Sequence, residues 1–112
     1  MAVEVKADKN NGLDVVSIIG RMDASNTSVF DEKMKEVLSQ NPGKVVVSLK
    51  ELEYVSSAGL RSFIAVAKEI KKCEGKLAFI EPTEQVLKVL KMSGMTTVLK
   101  ICSSMDEAVR EL

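Results

Sequence analysis

The chain has 112 residues, of which 46% are hydrophobic and 29% charged, a composition typical of one folded domain and too short for two. Its 16 basic and 16 acidic side chains cancel, so no basic field is available to bind a nucleic acid backbone. The absence of histidine excludes a Ser-His-Asp hydrolase and removes the commonest metal ligand. We therefore expect a single domain over residues 1–112 that does not bind nucleic acid.

The sequence also predicts where the protein resides and how its cysteines behave. No apolar run approaches the roughly 20 residues of a membrane-spanning helix, and residues 1–9 alternate charges with valines, unlike a signal peptide. We expect a cytoplasmic protein with no membrane partner. Cys73 and Cys102 lack the C-x-x-C spacing, so we expect two reduced structural thiols and no disulfide, zinc or other metal site.

The first elements are predicted to be a β-hairpin. Val3, Val5 and Ala7 alternate with charged residues, which is the period of a strand with one buried face. Asn10-Asn11-Gly12 supplies a turn, and the apolar run over residues 13–19 supplies the antiparallel partner.

After the hairpin, helices and strands alternate. Apolar residues recur at helical spacing in four groups: Phe30, Met34, Val37 and Leu38; Leu60, Phe63, Ile64, Ala67 and Ile70; Val86, Leu87 and Leu90; and Ala108, Val109 and Leu112. The predicted N-caps are Ser25 or Asn26, Thr83, and Ser103 or Ser104, and the predicted stops are Asn41-Pro42-Gly43, Cys73-Glu74-Gly75 and Gly94. Strands are predicted over residues 45–49, 77–80 and 98–101. This order predicts an α/β domain with a mixed, mostly parallel sheet, an N-terminal antiparallel hairpin strand and about four helices.

Two loops are candidates for the functional site, because ligands and partners of such sheets usually meet the loops beyond the carboxyl ends of strands. These loops are predicted over residues 20–26 and 50–59. The second contains Ser56 and Ser57 where a helix begins. One serine is explained as an N-cap, whereas the other leaves an accessible hydroxyl beside a helix terminus that favours negative charge. The residues alone leave open whether the second hydroxyl is a phosphorylated switch.

The segment Tyr54-Val55-Ser56-Ser57-Ala58-Gly59-Leu60-Arg61 resembles the signature loop of STAS-domain anti-sigma factor antagonists, in which a partner kinase phosphorylates a serine just before the helix. Aligned on the Gly-Leu pair, Ser57 takes the place of the phosphoacceptor, Ser56 that of an aspartate and Ala58 that of a second serine. Gly20-Arg21-Met22-Asp23 is similar to the family's Gly-x-Leu-Asp motif, whose aspartate lies beside that loop. The resemblance implies phosphorylation at Ser57, with Ser56 as the alternative.

The resemblance also implies a function. An unphosphorylated antagonist binds an ATP-dependent anti-sigma factor serine kinase and frees a sigma factor; phosphorylation releases the kinase, and a serine phosphatase restores the first state. Such a protein is not an enzyme, needs no cofactor and is expected to be a monomer. The partner-binding residues implied here are Asp23, Ser56, Ser57, Ala58, Gly59, Arg61, Ser62 and Ala65. We expect a smooth exposed helix face to contain Ala58, Ser62, Ala65 and Val66.

Three alternative functions make different demands on the sequence. A STAS module in a transporter or stress-signalling complex would bind partners without a sigma factor. A hydrolase would use Ser57 as nucleophile with Lys50, Lys68 or Asp23 assisting, but the sequence lacks a Gly-x-Ser-x-Gly elbow. A receiver domain would need an aspartate after residues 45–49, where Lys50 stands. We expect the antagonist function and keep the STAS module of a transporter or stress-signalling complex as the alternative.

Overall fold

Six strands form one mixed sheet in the computed structural model, which describes residues 3–10, 12–40 and 42–112. The strands are β1 (Val3–Asn10), β2 (Leu13–Met22), β3 (Lys44–Ser48), β4 (Leu52–Val55), β5 (Lys76–Ile80) and β6 (Ile101–Cys102). The helices are α1 (Thr27–Leu38), α2 (Ser57–Lys72), α3 (Glu84–Met92) and α4 (Met105–Glu111). The predicted fold class is confirmed. Asn11 of the predicted turn and Asn41 of the predicted stop lie outside the described residues.

Strand β2 is shared between two parallel neighbours. The sheet order is β1-β2-β3-β5-β6, with β1 antiparallel to β2, and β4 pairs with the second half of β2. The pairing passes from β3 to β4 at Gly20, where the register shifts and φ is +107°, a conformation that glycine adopts readily. The Gly20 amide donates to the Glu51 carbonyl at 3.0 Å. This arrangement brings the carboxyl ends of β2 and β4 to one edge of the sheet.

The core has one cluster on each face of the sheet. Phe63 of α2 lies between Phe30 of α1 and Phe79 of β5, with ring centroids 5.6 and 4.8 Å apart. Val46 of β3 faces a second cluster that includes Ala108 of α4, because neighbouring strand residues point to opposite faces. The apolar face of α2 thus packs into the core between α1 and the sheet.

The structure departs from the sequence prediction in β4, β6 and β2. Residues 50–59 were predicted as a loop but contain β4, in which Leu52 and Val55 are buried while Glu53 and Tyr54 are exposed. Such a strand carries no alternation to recognise.

The last strand was predicted at residues 98–101 but forms at Ile101–Cys102. Gly94, with φ of +78°, starts a short helical turn over Met95–Thr97 that delays the strand and leaves Val98 60% exposed. β2 also continues to Met22, beyond its predicted end at residue 19.

The predicted helix caps are confirmed in part. Thr83 Oγ1 accepts from the Val86 amide at 3.2 Å, and Ser104 Oγ accepts from the Glu107 amide at 3.1 Å. Asn26 is the N-cap residue of α1, but its side chain bonds within the preceding loop instead. Across the described part of the chain, no helix combines the length and apolarity needed to cross a membrane.

Candidate functional site

The ends of β2 and β4 bring the two predicted loops together. The Ser56 amide donates to the Met22 carbonyl at 3.0 Å, which joins the two chain segments just beyond the last paired residues. Asp23 follows Met22, and Ser57 follows Ser56. Asp23 and the serine pair are therefore neighbours in the fold although Ser56 comes 33 positions after Asp23 in the sequence.

The two serines have different structural roles. Ser56 is the N-cap of α2, with φ of −88° and ψ of 174°, and its hydroxyl accepts from the Gly59 amide at 3.3 Å. Ser57 is the first residue of the helix and is exposed. Within the described residues its hydroxyl makes no hydrogen bond. One hydroxyl thus caps the start of the helix, and the other is exposed on the surface.

Gly59 determines how closely the start of α2 approaches the sheet. A Cβ atom at this position would lie 2.6 Å from Val55 Cγ2 and 3.4 Å from Met22 Cγ. Real Cβ atoms do not come as close as the first distance, so only glycine allows this approach without a shift. Gly59 is buried, and the first turn of α2, which contains Ser57, therefore lies close to the sheet.

Asp23 organises its own loop. Its Oδ1 accepts from the Ser25 hydroxyl at 2.6 Å and from the Ser25 amide at 2.9 Å. These hydrogen bonds lower the pKa of the Asp23 carboxyl, and the nearby positive charge of Arg21 acts in the same direction. Asp23 is thus an ionised, half-buried carboxylate beside the serine loop.

The exposed face of α2 differs from the one predicted. Ser57, Arg61 and Ala65 are exposed at intervals of four residues and therefore share one side of the helix. Ser62 and Val66 are buried, at 8% and 6% exposure, so their assignment to a smooth exposed face was wrong. The reason is that α1 packs beside α2 and covers this side of it.

Arg21 and Tyr54 form an exposed pair that the sequence analysis did not identify. They face each other across β2 and β4, and the Arg21 guanidinium carbon lies 4.6 Å from the Tyr54 ring centroid. Tyr54 and Ser57 line the same shallow depression, together with Met92 of α3, which is 79% exposed. The sequence did not reveal this contact, because Arg21 and Tyr54 meet only where β4 pairs with β2, and β4 was not predicted.

The hydrolase alternative receives no geometric support. The Asp23 carboxylate is engaged by Ser25, and no described residue forms a hydrogen bond to the Ser57 hydroxyl that would activate it as a nucleophile.

Among the described residues, one group has the composition of a metal-ligand set: Cys102, Glu107 and Glu111, whose ligand atoms lie within 4.8 Å of one another. Glu111 is paired with Lys100 at 2.6 Å, and Glu107 accepts from the Ser103 amide at 2.6 Å. Burial raises the pKa of the Cys102 thiol, as do the adjacent carboxylates. Both carboxylates therefore already have partners, and the thiol favours its neutral form.

Comparison with known proteins identifies the family. The model of the STAS domain family matches residues 4–108. The chain belongs to the STAS domain family. This STAS chain is 26% identical over 106 residues to BtrV of Bordetella bronchiseptica, covering 95% of this chain and 91% of BtrV. It is 24% identical over 110 residues to the anti-sigma-B factor antagonist of Bacillus subtilis, covering 98% and 100% of the two chains. The resemblance predicted from the two motifs is confirmed.

Solved structures have the same STAS fold. An anti-sigma factor antagonist from Mycobacterium paratuberculosis superposes with a TM-score of 0.89 at 18% identity, covering 98% of this chain and 93% of that one. The anti-sigma factor antagonist SpoIIAA in its unphosphorylated form gives 0.78 at 16% identity, covering 96% and 95%. SpoIIAA in its phosphorylated form gives 0.71 at 15% identity, covering 96% and 98%.

Proposed function

We propose that this STAS protein is an anti-sigma factor antagonist switched by phosphorylation of Ser57. Unmodified, it binds an anti-sigma factor that is also an ATP-dependent serine kinase, and a sigma factor is freed. The kinase transfers the γ-phosphoryl group of ATP to Ser57 Oγ, and the phosphorylated protein is released until a serine phosphatase removes the group. The protein itself is the substrate in this cycle and carries out no catalysis in the cytoplasm where we expect it.

The exposed hydroxyl of Ser57 carries this proposal. Ser56 already caps α2, so the helix does not need the Ser57 hydroxyl, which stands open beside Asp23 at the edge of the sheet. The names of relatives that match along most of their length supply the biological context.

The predicted partner-binding residues divide into two groups. Ser57, Arg61 and Ala65 are exposed and are proposed to contact the partner directly, with half-buried Asp23 at the margin. The remaining members support that surface because they are half-buried or buried: Ser56, Ala58, Gly59 and Ser62. A flat contact formed around one small hydroxyl is sensitive to any group added to it.

Phosphorylation would act at the interface. A phosphoserine carries about −1.5 to −2 charges, and a partner that packs against Ser57 would have to desolvate this group and accommodate its volume. A loss of roughly 3 kcal/mol lowers affinity about a hundredfold, which is enough to exchange partners.

The test compares Ser57→Ala, Ser57→Asp and the wild-type protein as baits in lysate of the source organism. The control is Ser28→Asp, which places the same charge on an exposed serine in the first turn of α1. A captured anti-sigma kinase is then incubated with wild-type protein and ATP, and the modified residue is mapped by peptide mass spectrometry.

We expect Ser57→Ala and Ser28→Asp to retain the kinase, Ser57→Asp to release it, and the phosphoryl group to map to Ser57. Equal retention by Ser57→Ala and Ser57→Asp would contradict the switch. A phosphoryl group on Ser56 would contradict the assigned acceptor, and capture of transporter or stress-signalling subunits would favour the alternative STAS function.

A further inference from the structure

The charged groups around Ser57 are unevenly distributed. Arg21 lies over the ring of Tyr54, and Tyr54 lines the same depression as Ser57. Arg21 is also close enough to Asp23 to help lower the pKa of that carboxyl. Arg21 is therefore a cation at the junction of both site loops, held by an exposed aromatic ring and by no ion pair of its own among the described residues.

A second arginine lies one helical turn after Ser57 on α2. Arg61 is four residues after Ser57 on α2, and side chains at this spacing are neighbours on a helix surface. Both residues are exposed, so the Arg61 side chain is free to change rotamer. Two arginines from separate elements are thus linked to the neighbourhood of Ser57, Arg21 through its contact with Tyr54 and Arg61 through its helical spacing.

We propose that the Ser57 phosphoryl group is bound within the same chain by Arg21 and Arg61, and that Arg21 leaves the Tyr54 ring to do so. This inference rests on the proposed phosphorylation of Ser57. Guanidinium groups bind phosphate through paired, charge-assisted hydrogen bonds, which are stronger than an exposed cation–π contact. The phosphoryl group therefore competes successfully with the tyrosine ring for Arg21.

The consequence is a change of surface that extends beyond the phosphate. Phosphorylation exposes the Tyr54 ring face and occupies both guanidinium groups, which are then unavailable to a partner. Arg and Tyr are among the residues that contribute most to protein interfaces, so their rearrangement adds to the repulsion caused by the phosphate itself. Asp23 opposes the rearrangement with one negative charge, whereas the phosphoryl group carries up to two.

The chain offers a direct optical test because Tyr54 is its one tyrosine and it has no tryptophan. Protein with phosphoserine incorporated at position 57 during translation is compared with unmodified protein by tyrosine fluorescence. The same pair is made for Arg21→Met, Arg61→Met and, as the matched control, Arg110→Met. Arg110 is the remaining arginine, exposed on α4, which packs against β5 and β6.

We expect phosphorylation to change Tyr54 emission in the wild-type and Arg110→Met proteins and to leave it nearly unchanged in Arg21→Met. An equal change in wild type and Arg21→Met would overturn the transfer of Arg21, because the ring would then be responding to the phosphate alone.

The acidity of the phosphoserine supplies the second measurement. Phosphorus NMR titration gives its second pKa, which is near 6 without close partners. Arginine contacts stabilise the dianion and lower this value, so we expect Arg21→Met and Arg61→Met each to raise it by about half a pH unit. Arg110→Met should leave it unchanged. Identical values in all four proteins would overturn the two-arginine site.

Binding of the captured kinase to the same samples separates this inference from the function on which it rests. If phosphorylated wild-type protein binds the kinase as well as unmodified protein does, the switch fails, whatever the NMR shows. If phosphorylation abolishes binding but neither emission nor pKa depends on Arg21, the switch stands and the intramolecular site is wrong.

Discussion

Two adjacent serines at the start of α2 differ, because one caps the helix and the other is exposed. The sequence placed two hydroxyls at this position and could not decide which of them capped the helix. The structure assigns the cap to Ser56 through its bond from the Gly59 amide and leaves Ser57 exposed. That choice depends on backbone angles within one turn, which two identical adjacent side chains do not reveal. The role of Ser57 as phosphoacceptor remains a prediction.

Gly59 provides a prediction at the same scale. Alanine is the better helix former by about 1 kcal/mol, yet we expect Gly59→Ala to lower the free energy of unfolding by about 1 to 3 kcal/mol. Its Cβ would lie 2.6 Å from Val55 Cγ2. Chemical denaturation followed by circular dichroism measures the change. Gly43→Ala is the control, since no atom lies within 4 Å of its added Cβ. Equal stability of the two variants would show that α2 does not depend on this close approach.

At the scale of whole elements, strongly periodic segments were predictable and short ones were not. The stripe from Leu60 to Ile70 identified α2, because Leu60, Phe63 and Ile70 recur at helical spacing and are buried in the core. β4 has four residues with two exposed neighbours at its centre, so only its pairing with β2 defines it. The prediction of the candidate site was therefore incomplete, because the contact between Arg21 and Tyr54 follows from that pairing.

The start of α4 supports a prediction about pH. Hydrogen bonds from the Ser103 amide and hydroxyl lower the pKa of Glu107 below its ordinary value of 4.5. A carboxyl whose pKa is lower in the folded state adds stability above its ordinary pKa, and this contribution is lost as pH falls through the folded value. We expect Glu107→Ala to be less stable than wild type at about pH 7 and the difference to shrink as the pH falls below the ordinary pKa of 4.5 and through the lower folded-state value.

Denaturation at a series of pH values tests this expectation. Asp106→Ala removes the neighbouring acidic side chain in the same turn of α4 and serves as the control. If the two variants lose equal stability at neutral pH, the bonds to Ser103 contribute nothing beyond a negative charge near the helix start.

At the scale of the whole molecule, the question is whether modification of Ser57 changes the fold or only the surface. Ser57 and Ser62 lie five residues apart on α2, but the first is exposed and the second is 8% exposed. We expect Ser57→Asp to change the free energy of unfolding by less than about 1 kcal/mol and Ser62→Asp to lower it by about 2 kcal/mol or more. Equal losses in denaturation experiments would mean that the switch acts by unfolding α2.

The division of β2 between two neighbours has a consequence for how such a protein diversifies. Residues 14–17 pair with β3 inside the sheet, whereas residues 20–22 pair with β4 beside the serine loop. The stretch of β2 beside the proposed recognition surface is thus separate from the stretch that pairs with β3, and the two meet at Gly20. Side chains around the loop are free to be exchanged for a new partner while the pairing with β3 and the three phenylalanine rings stay as they are. Proteins that use the proposed switch with different partners can arise from this scaffold as long as Gly20 and Gly59 are kept.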